Sequence, residues 1–242
     1  MRYLYLMDIS IIIPTLNEEN YIRHTVDRLL ANQSGKLELE LIVVDAGSQD
    51  ETVNTIKERT NQLVVDSTLA GAKYKSLNTG AELANGEVLL FLDADTLLPH
   101  HFDLQIREAL HKKGVVGGAF EFGFNRRGVV YRIIEWINRI RYRIDKRYFG
   151  DQGLFCSREN FERVRGYPHE PIMEAAYFCK ALRGIGRLAL IKSPVLTSAR
   201  RFEQGNVFRV FLKDTWIWIQ FTLGLNIKKY APAYWAENQN GG

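Results

Sequence analysis

The 242-residue chain is 46% hydrophobic and 25% charged, enough apolar material for one sizeable core; with 19 Gly, 6 Pro, no biased tract and no internal repeat, it is neither disordered, collagen-like nor solenoidal. Cys156 and Cys179 lack disulfide-framework or metal spacing, and Asp8 interrupts the apolar start before a signal-peptide core forms, so a cytoplasmic protein is expected. The net charge of +4 is uneven: residues 126–147 hold eight Lys or Arg against two acidic residues, which suits an anionic ligand, a membrane surface or a solvated helix face.

Residues 9–13 form a β-branched run stopped by Pro14, and residues 39–44 form another that stops at Asp45; both read as strands. Between them, Ile22, Val26, Leu29 and Leu30 recur at helical spacing within 18–32, completing a βαβ unit. The alternation continues with a helix over 52–60, a short strand at 63–66, a helix over 72–84 and an apolar strand over 87–92 that ends in Asp93-Ala94-Asp95. This predicts an α/β fold with a mainly parallel central sheet flanked by helices. Ligands in such sheets bind beyond the carboxyl ends of the strands, where 14–18, 45–50 and 93–96 would converge.

A helix is expected over 99–113 and a Gly-rich strand over 114–124. In the basic segment, Val130, Ile133, Ile137, Ile140 and Ile144 recur at helical spacing with Arg132, Arg139, Arg143 and Lys146 opposite, so the isoleucine face is expected to pack and the arginine face to attract anions. Loop and strand follow from Phe149, then helices over 158–165 and 174–184 and a strand over 188–191. Residues 206–225 are very apolar, but Arg209, Lys213, Asp214 and Gln220 interrupt them, so they fall short of a transmembrane span. With Trp216, Trp218, Phe208, Phe211 and Phe221 they would form a helix packed on the domain or lying on a membrane.

Two carboxylates one residue apart, as in Asp93-Ala94-Asp95, can hold a hard divalent cation that also accepts phosphate oxygens; a turn with capping aspartates is the other reading. No P-loop and no histidine pair at metal spacing occurs, and nothing points to nucleic acid.

Six motifs in order, Ile11-Ile-Ile-Pro-Thr-Leu-Asn-Glu-Glu, Val43-Val-Asp-Ala-Gly-Ser-Gln-Asp-Glu-Thr, Asn78-Thr-Gly-Ala, Leu92-Asp-Ala-Asp-Thr, Gly150-Asp-Gln-Gly and Ser198-Ala-Arg-Arg-Phe, make the chain similar over nearly its whole length to the family 2 glycosyltransferases of GT-A fold. The resemblance implies a metal-dependent, inverting transfer of a sugar, of hexosyltransferase type, from a nucleotide-diphosphate sugar to an acceptor hydroxyl. Pro14, Thr15, Asn17, Glu18 and Asp45 would contact the base and ribose. Asp93 would touch the ribose or the metal shell, and Asp95 would coordinate Mg²⁺ or Mn²⁺ bridging the diphosphate. Lys73 stands where the family usually has arginine and would contact base or phosphate, or be an exposed helix lysine. Arg200 and Arg201 would clamp the diphosphate. Residues 1–203 would form the transferase domain, with a nucleotide half (1–98) and an acceptor half (99–203), followed by a helical, membrane-associating tail (204–242).

The sequence departs from the family at Ala175, where relatives carry the aspartate expected to be the base. Glu174 or Asp151 would take its place, unless the protein binds donor without efficient transfer; a helix-dipole carboxylate and a loop-ordering carboxylate are the structural readings of those two residues. The phosphohydrolase signature around Asp93, with that residue as nucleophile, is the competing enzyme class. The acceptor is not specified by the sequence. The basic helix and aromatic tail would suit an anionic or lipid-linked one at the inner face of a membrane.

Overall fold

The computed structural model describes residues 8–145, 147–203 and 207–232. Its first half contains β1 (Ile9–Thr15), α1 (Ile22–Asn32), β2 (Leu39–Asp45), α2 (Thr52–Ile56), β3 (Gln62–Val65), α3 (Lys73–Leu83) and β4 (Val88–Phe91). Then come β5 (Thr96–Leu97), α4 (Phe102–His111), β6 (Val115–Phe124), α5 (Val129–Asp145), β7 (Leu154–Ser157), α6 (Arg158–Arg163), α7 (Glu174–Arg183), β8 (Arg187–Thr197), α8 (Arg200–Glu203) and α9 (Val207–Thr222).

One mixed sheet runs in the order β3-β2-β1-β4-β7-β6-β8-β5. β3, β2, β1 and β4 are parallel, as the βαβ pattern requires; β7 is antiparallel to both β4 and β6, β8 parallel to β6, and the two-residue β5 antiparallel to β8. Period-2 alternation sends Ile9, Ile11 and Ile13 toward α1 and α4, where they pack with Ile22, Val26, Phe102 and Ile106. Ile12, Ile42, Val44 and Phe91 face the opposite layer with Leu77, Phe178 and Leu182. The predicted helix at 18–32 begins later, at Ile22, because Asn17 adopts φ +56° and Glu18 N–H donates to Thr52 Oγ1 at 2.7 Å; the intervening turn presents the Glu18 carboxylate. β8 is longer than the 188–191 run predicts, since a register shift against β6 between Phe120 and Glu121 carries the strand past Pro194.

α5 lies with its predicted packing face turned outward. Ile134 and Tyr142 are buried, whereas Val130, Ile133 and Ile140 are exposed. Polar anchors to β6 fix this rotation: Phe124 N–H donates to Glu135 Oε1 at 2.9 Å, and Arg139 and Arg143 pair with Glu121 at 2.9 and 3.4 Å. Lys146 and the side chains of Ile144 and Phe208 lie outside the described residues. α9 packs Ile217 and Phe221 with Ile172 and Ala176 at the start of α7. Among the described residues no helix is long and apolar enough to cross a membrane.

Candidate active site

β1, β2 and β4 run in parallel register, so their carboxyl-terminal loops meet at one edge of the sheet. There they border a cavity of about 790 Å³. Of the residues singled out from the sequence, Pro14, Thr15, Glu18, Lys73, Asp93, Asp95, Asp151, Glu174, Arg200 and Arg201 line it.

Asp45 and Asn17 do not line the cavity. Asp45 is fully buried; it accepts from Thr15 Oγ1 at 2.8 Å, from the Gly47 and Ser48 N–H groups at 2.9 and 2.8 Å, and from Ser48 Oγ at 2.6 Å. Its oxygens are occupied by that turn, which it organises. Asn17 ties the two loops together, its N–H donating to Ser48 Oγ at 2.8 Å and its Oδ1 accepting from Gln49 N–H at 2.9 Å.

Three carboxylates face two cations across the cavity floor. Arg200 forms a bidentate pair with Glu18, at 2.6 and 2.8 Å, and places its Nε 3.4 Å from Asp95 Oδ2. Its guanidinium also lies over the Tyr21 ring at 4.5 Å. Lys73 Nζ bonds Asp93 Oδ1 at 2.6 Å. Gly150 packs against that pair: a Cβ there would stand 3.1 Å from Lys73 Nζ, so the ammonium would have to give by a few tenths of an ångström. Burial pushes the Asp95 carboxyl up to about 7, against the pull of Arg200 and with the help of Asp93 and Glu18. Burial also raises Glu18, although Arg200 opposes it.

Two further carboxylates adjoin this cluster. Asp151 sits in the turn between α5 and β7, where burial and then the Asp93 charge push it up to about 6 while Lys73, Arg141 and Arg201 pull it down. Glu174 opens α7 after Met173, which takes φ +59°; burial raises it and Lys73 opposes. Ala175 lines the same cavity with a methyl group and is buried. Arg201 pairs with Asp214 of α9 at 2.7 Å, so α9 helps wall the site.

The sequence reading missed Tyr21, Arg141, Lys213, Asp214 and Trp218 as site neighbours. Arg141 had a usable signal, because Ile134, Asn138 and Arg141 follow one another at helical spacing and all line the cavity. Tyr21 had none, since its partner Arg200 is distant in sequence.

Comparison with known proteins gives concordant results. Residues 10–165 match glycosyl transferase family 2. The chain is 34% identical over 94 residues to the Staphylococcus aureus poly(ribitol-phosphate) beta-N-acetylglucosaminyltransferase TarS, a stretch of 37% of this chain and 16% of that protein's length. In three dimensions it resembles a Pyrobaculum calidifontis mannosyltransferase in complex with GDP-Man and Mn²⁺, with TM-score 0.60 and 24% identity over 79% of this chain and 56% of that one. It also resembles the Mycobacterium tuberculosis glucosyl-3-phosphoglycerate synthase in complex with Mn²⁺, UDP and glucosyl-3-phosphoglycerate, with TM-score 0.61 and 18% identity over 91% and 81%.

Proposed function

The chain belongs to glycosyl transferase family 2, and from that premise we propose that it transfers a sugar, with inversion, from a nucleotide-diphosphate donor to an acceptor hydroxyl with the aid of Mg²⁺ or Mn²⁺. The observation that carries this reading is the set of Glu18, Asp93, Asp95, Lys73 and Arg200 around one cavity at the carboxyl ends of β1 and β4.

The donor set suits a hard cation. Asp93 and Asp95 offer oxygens alone, and the recessed Asp95 carboxyl, held at about 7, would be stabilised in its ionised form by a nearby positive charge. No group of three or more His, Cys, Asp or Glu among the described residues could hold a metal, so binding would depend on oxygens that the diphosphate brings. Bound there by Asp93 and Asp95, a divalent cation would supply Lewis-acid neutralisation of charge developing on the departing diphosphate. Lys73 and Arg200 add fixed positive charge on the same side. Thr15 and the 14–18 loop would meet the nucleoside, with Asp45 and Asn17 holding that loop in shape.

The base in this proposal is Glu174, which lines the cavity beside Ala175 and whose raised pKa moves it toward neutrality. Asp151 is the second reading, favoured by a carboxyl held at about 6. With donor binding unchanged, Glu174→Gln should lower kcat by about 10²-fold or more and Asp151→Asn should spare it; the reverse pattern transfers the role. Residues 1–98 would act as the nucleotide half and 99–203 as the acceptor half. Arg141, Arg201, Arg209 and Lys213 on the wall suit an anionic acceptor, consistent with the phosphate-bearing molecules in the names of both TarS and the synthase. A phosphohydrolase role for Asp93 loses ground, since the family match spans that residue.

The test is calorimetric titration with UDP, GDP and dTDP, with and without Mn²⁺, repeated on Asp95→Asn. Binding of one diphosphate that requires metal and is lost in the variant supports the proposal. Absence of binding by all three overturns it.

A further inference from the structure

We propose that the outward faces of α5 and α9 seat this protein on an anionic lipid bilayer. The two helices adjoin: Arg141 of α5 lies 5.5 Å over the Trp218 ring of α9, and Arg147, past the end of α5, donates from Nη1 to Thr222 Oγ1 at 3.2 Å. Their inner sides wall the cavity through Asn138, Arg141, Lys213 and Trp218. Different residues of the same helices face solvent. On α5, Val129 is 77%, Ile133 51%, Trp136 60% and Ile140 40% exposed; on α9, Leu212 is 64%, Trp216 57% and Ile219 37% exposed, with Leu223, 69% exposed, just past its end. Each set recurs at intervals of three and four residues, giving one apolar stripe per helix. Such a patch on a monomer marks a surface that something covers.

Charge selects the occupant. Arg132 and Arg143 keep exposed side chains along the α5 stripe, 66% and 58%, while each also touches an acid, Arg132 Glu135 at 2.7 Å and Arg143 Glu121 at 3.4 Å; Arg209 is exposed at the start of α9, and Asp214 turns to Arg201 at 2.7 Å. Arg127 extends the positive surface at the amino end of α5, beside Arg126, which pairs with Glu203 at 2.8 Å. A globular protein partner closing over these stripes would desolvate guanidinium groups in the middle of its apolar contact. A bilayer interface accommodates both, with Trp and Leu side chains below the headgroups and arginines snorkelling to anionic phosphates. With no membrane-crossing helix among the described residues, the protein would lie on such a surface through these two helices.

The experiment is co-sedimentation of the full chain with phosphatidylcholine vesicles and with vesicles that also contain phosphatidylglycerol, alongside Trp quenching by brominated lipid and sedimentation velocity without lipid. Preference of about tenfold for the anionic vesicles is expected, falling with salt. Trp136→Ser with Leu212→Ser, both outside the cavity, should lower that partitioning at least tenfold while leaving the thermal transition and nucleoside diphosphate binding as they are. Equal or absent binding to the two vesicle types overturns the proposal, as does a dimer that the double variant dissolves, because the face is then a contact between copies. None of these readouts uses sugar transfer, so the proposal stands or falls apart from the catalytic one.

Discussion

Asp95→Asn tests the electrostatics of the cavity floor without any ligand. In the folded chain burial holds this carboxyl at about 7 against an ordinary 3.8. Between those values the native state keeps a proton that the unfolded chain releases, so the stabilising contribution is complete below about pH 4. It declines as pH rises through 7, and by pH 8 the folded protein bears the full cost of a recessed carboxylate, at most about 4 kcal/mol. Asparagine matches the side chain in size and has no proton to lose. The variant should therefore be more stable than the parent at pH 8 and indistinguishable from it near pH 4. For a chain of this length each kcal/mol moves Tm by about 2–4 °C, so a gain of at least about 5 °C at pH 8 is expected. Thermal denaturation followed by circular dichroism at both pH values, without nucleotide or metal, gives the answer. Asp151, whose raised carboxyl owes nothing to Asp95, cancels in the comparison. A variant that is less stable at pH 8, or one whose Tm difference is the same at both pH values, refutes the reasoning.

Arg200→Ala strips the bidentate partner from Glu18 and the nearest cation from Asp95, and should cost about 3 kcal/mol at pH 8, shrinking as both carboxylates protonate in acid; urea titrations at the two pH values would show it. Gly150→Ala places a Cβ 3.1 Å from Lys73 Nζ and should shift the ammonium by a few tenths of an ångström against Asp93. Stability would change by less than about 1 kcal/mol while nucleoside diphosphate affinity falls about tenfold by calorimetry. Binding of the diphosphate with Mn²⁺ at pH 7 should expel about half a proton from Asp95, seen as a dependence of the binding heat on buffer ionisation enthalpy that disappears in Asp95→Asn.

The first half of the fold was legible because its signals are local. The runs at 9–13, 39–44 and 87–92 are apolar, short and each closed by a polar loop, and parallel pairing then forces those loops to one edge. Convergence of Glu18 and Asp93 followed from topology alone. The bonds Asp45 makes to the N–H groups of its own turn did not, since a strand-end carboxylate gives no sign in sequence of which donors it meets. β5 has two residues and is held to β8 by a Thr96–Thr197 hydroxyl contact at 3.0 Å, which no window of the sequence registers. The Arg200–Glu18 pair spans most of the chain, and its geometry exists once the sheet is assembled.

The inverted α5 has a different cause. Periodicity states which residues share a helix face, and leaves open which way that face turns. Val130, Ile133, Ile137 and Ile140 do share one face, and the structure turns it outward. Glu121 and Glu135 decide the matter. Glu121 is the one charged residue in Val115–Phe124 and is buried between Phe120 and Phe122. Left without a cation it would cost several kcal/mol, comparable to fully covering about two isoleucines at roughly 1.5–3 kcal/mol each, and the outward face keeps part of its apolar area covered, Val130, Ile133 and Ile140 being 38, 51 and 40% exposed. The next element supplies Arg139 and Arg143, and turning them toward Glu121 necessarily turns the isoleucines away. Glu135 adds a second constraint of the same sense by accepting from Phe124 N–H. The lone acid in a buried strand was thus the signal for the rotation of the following helix, and asking where its charge is neutralised gives the facing that hydrophobic periodicity misassigns.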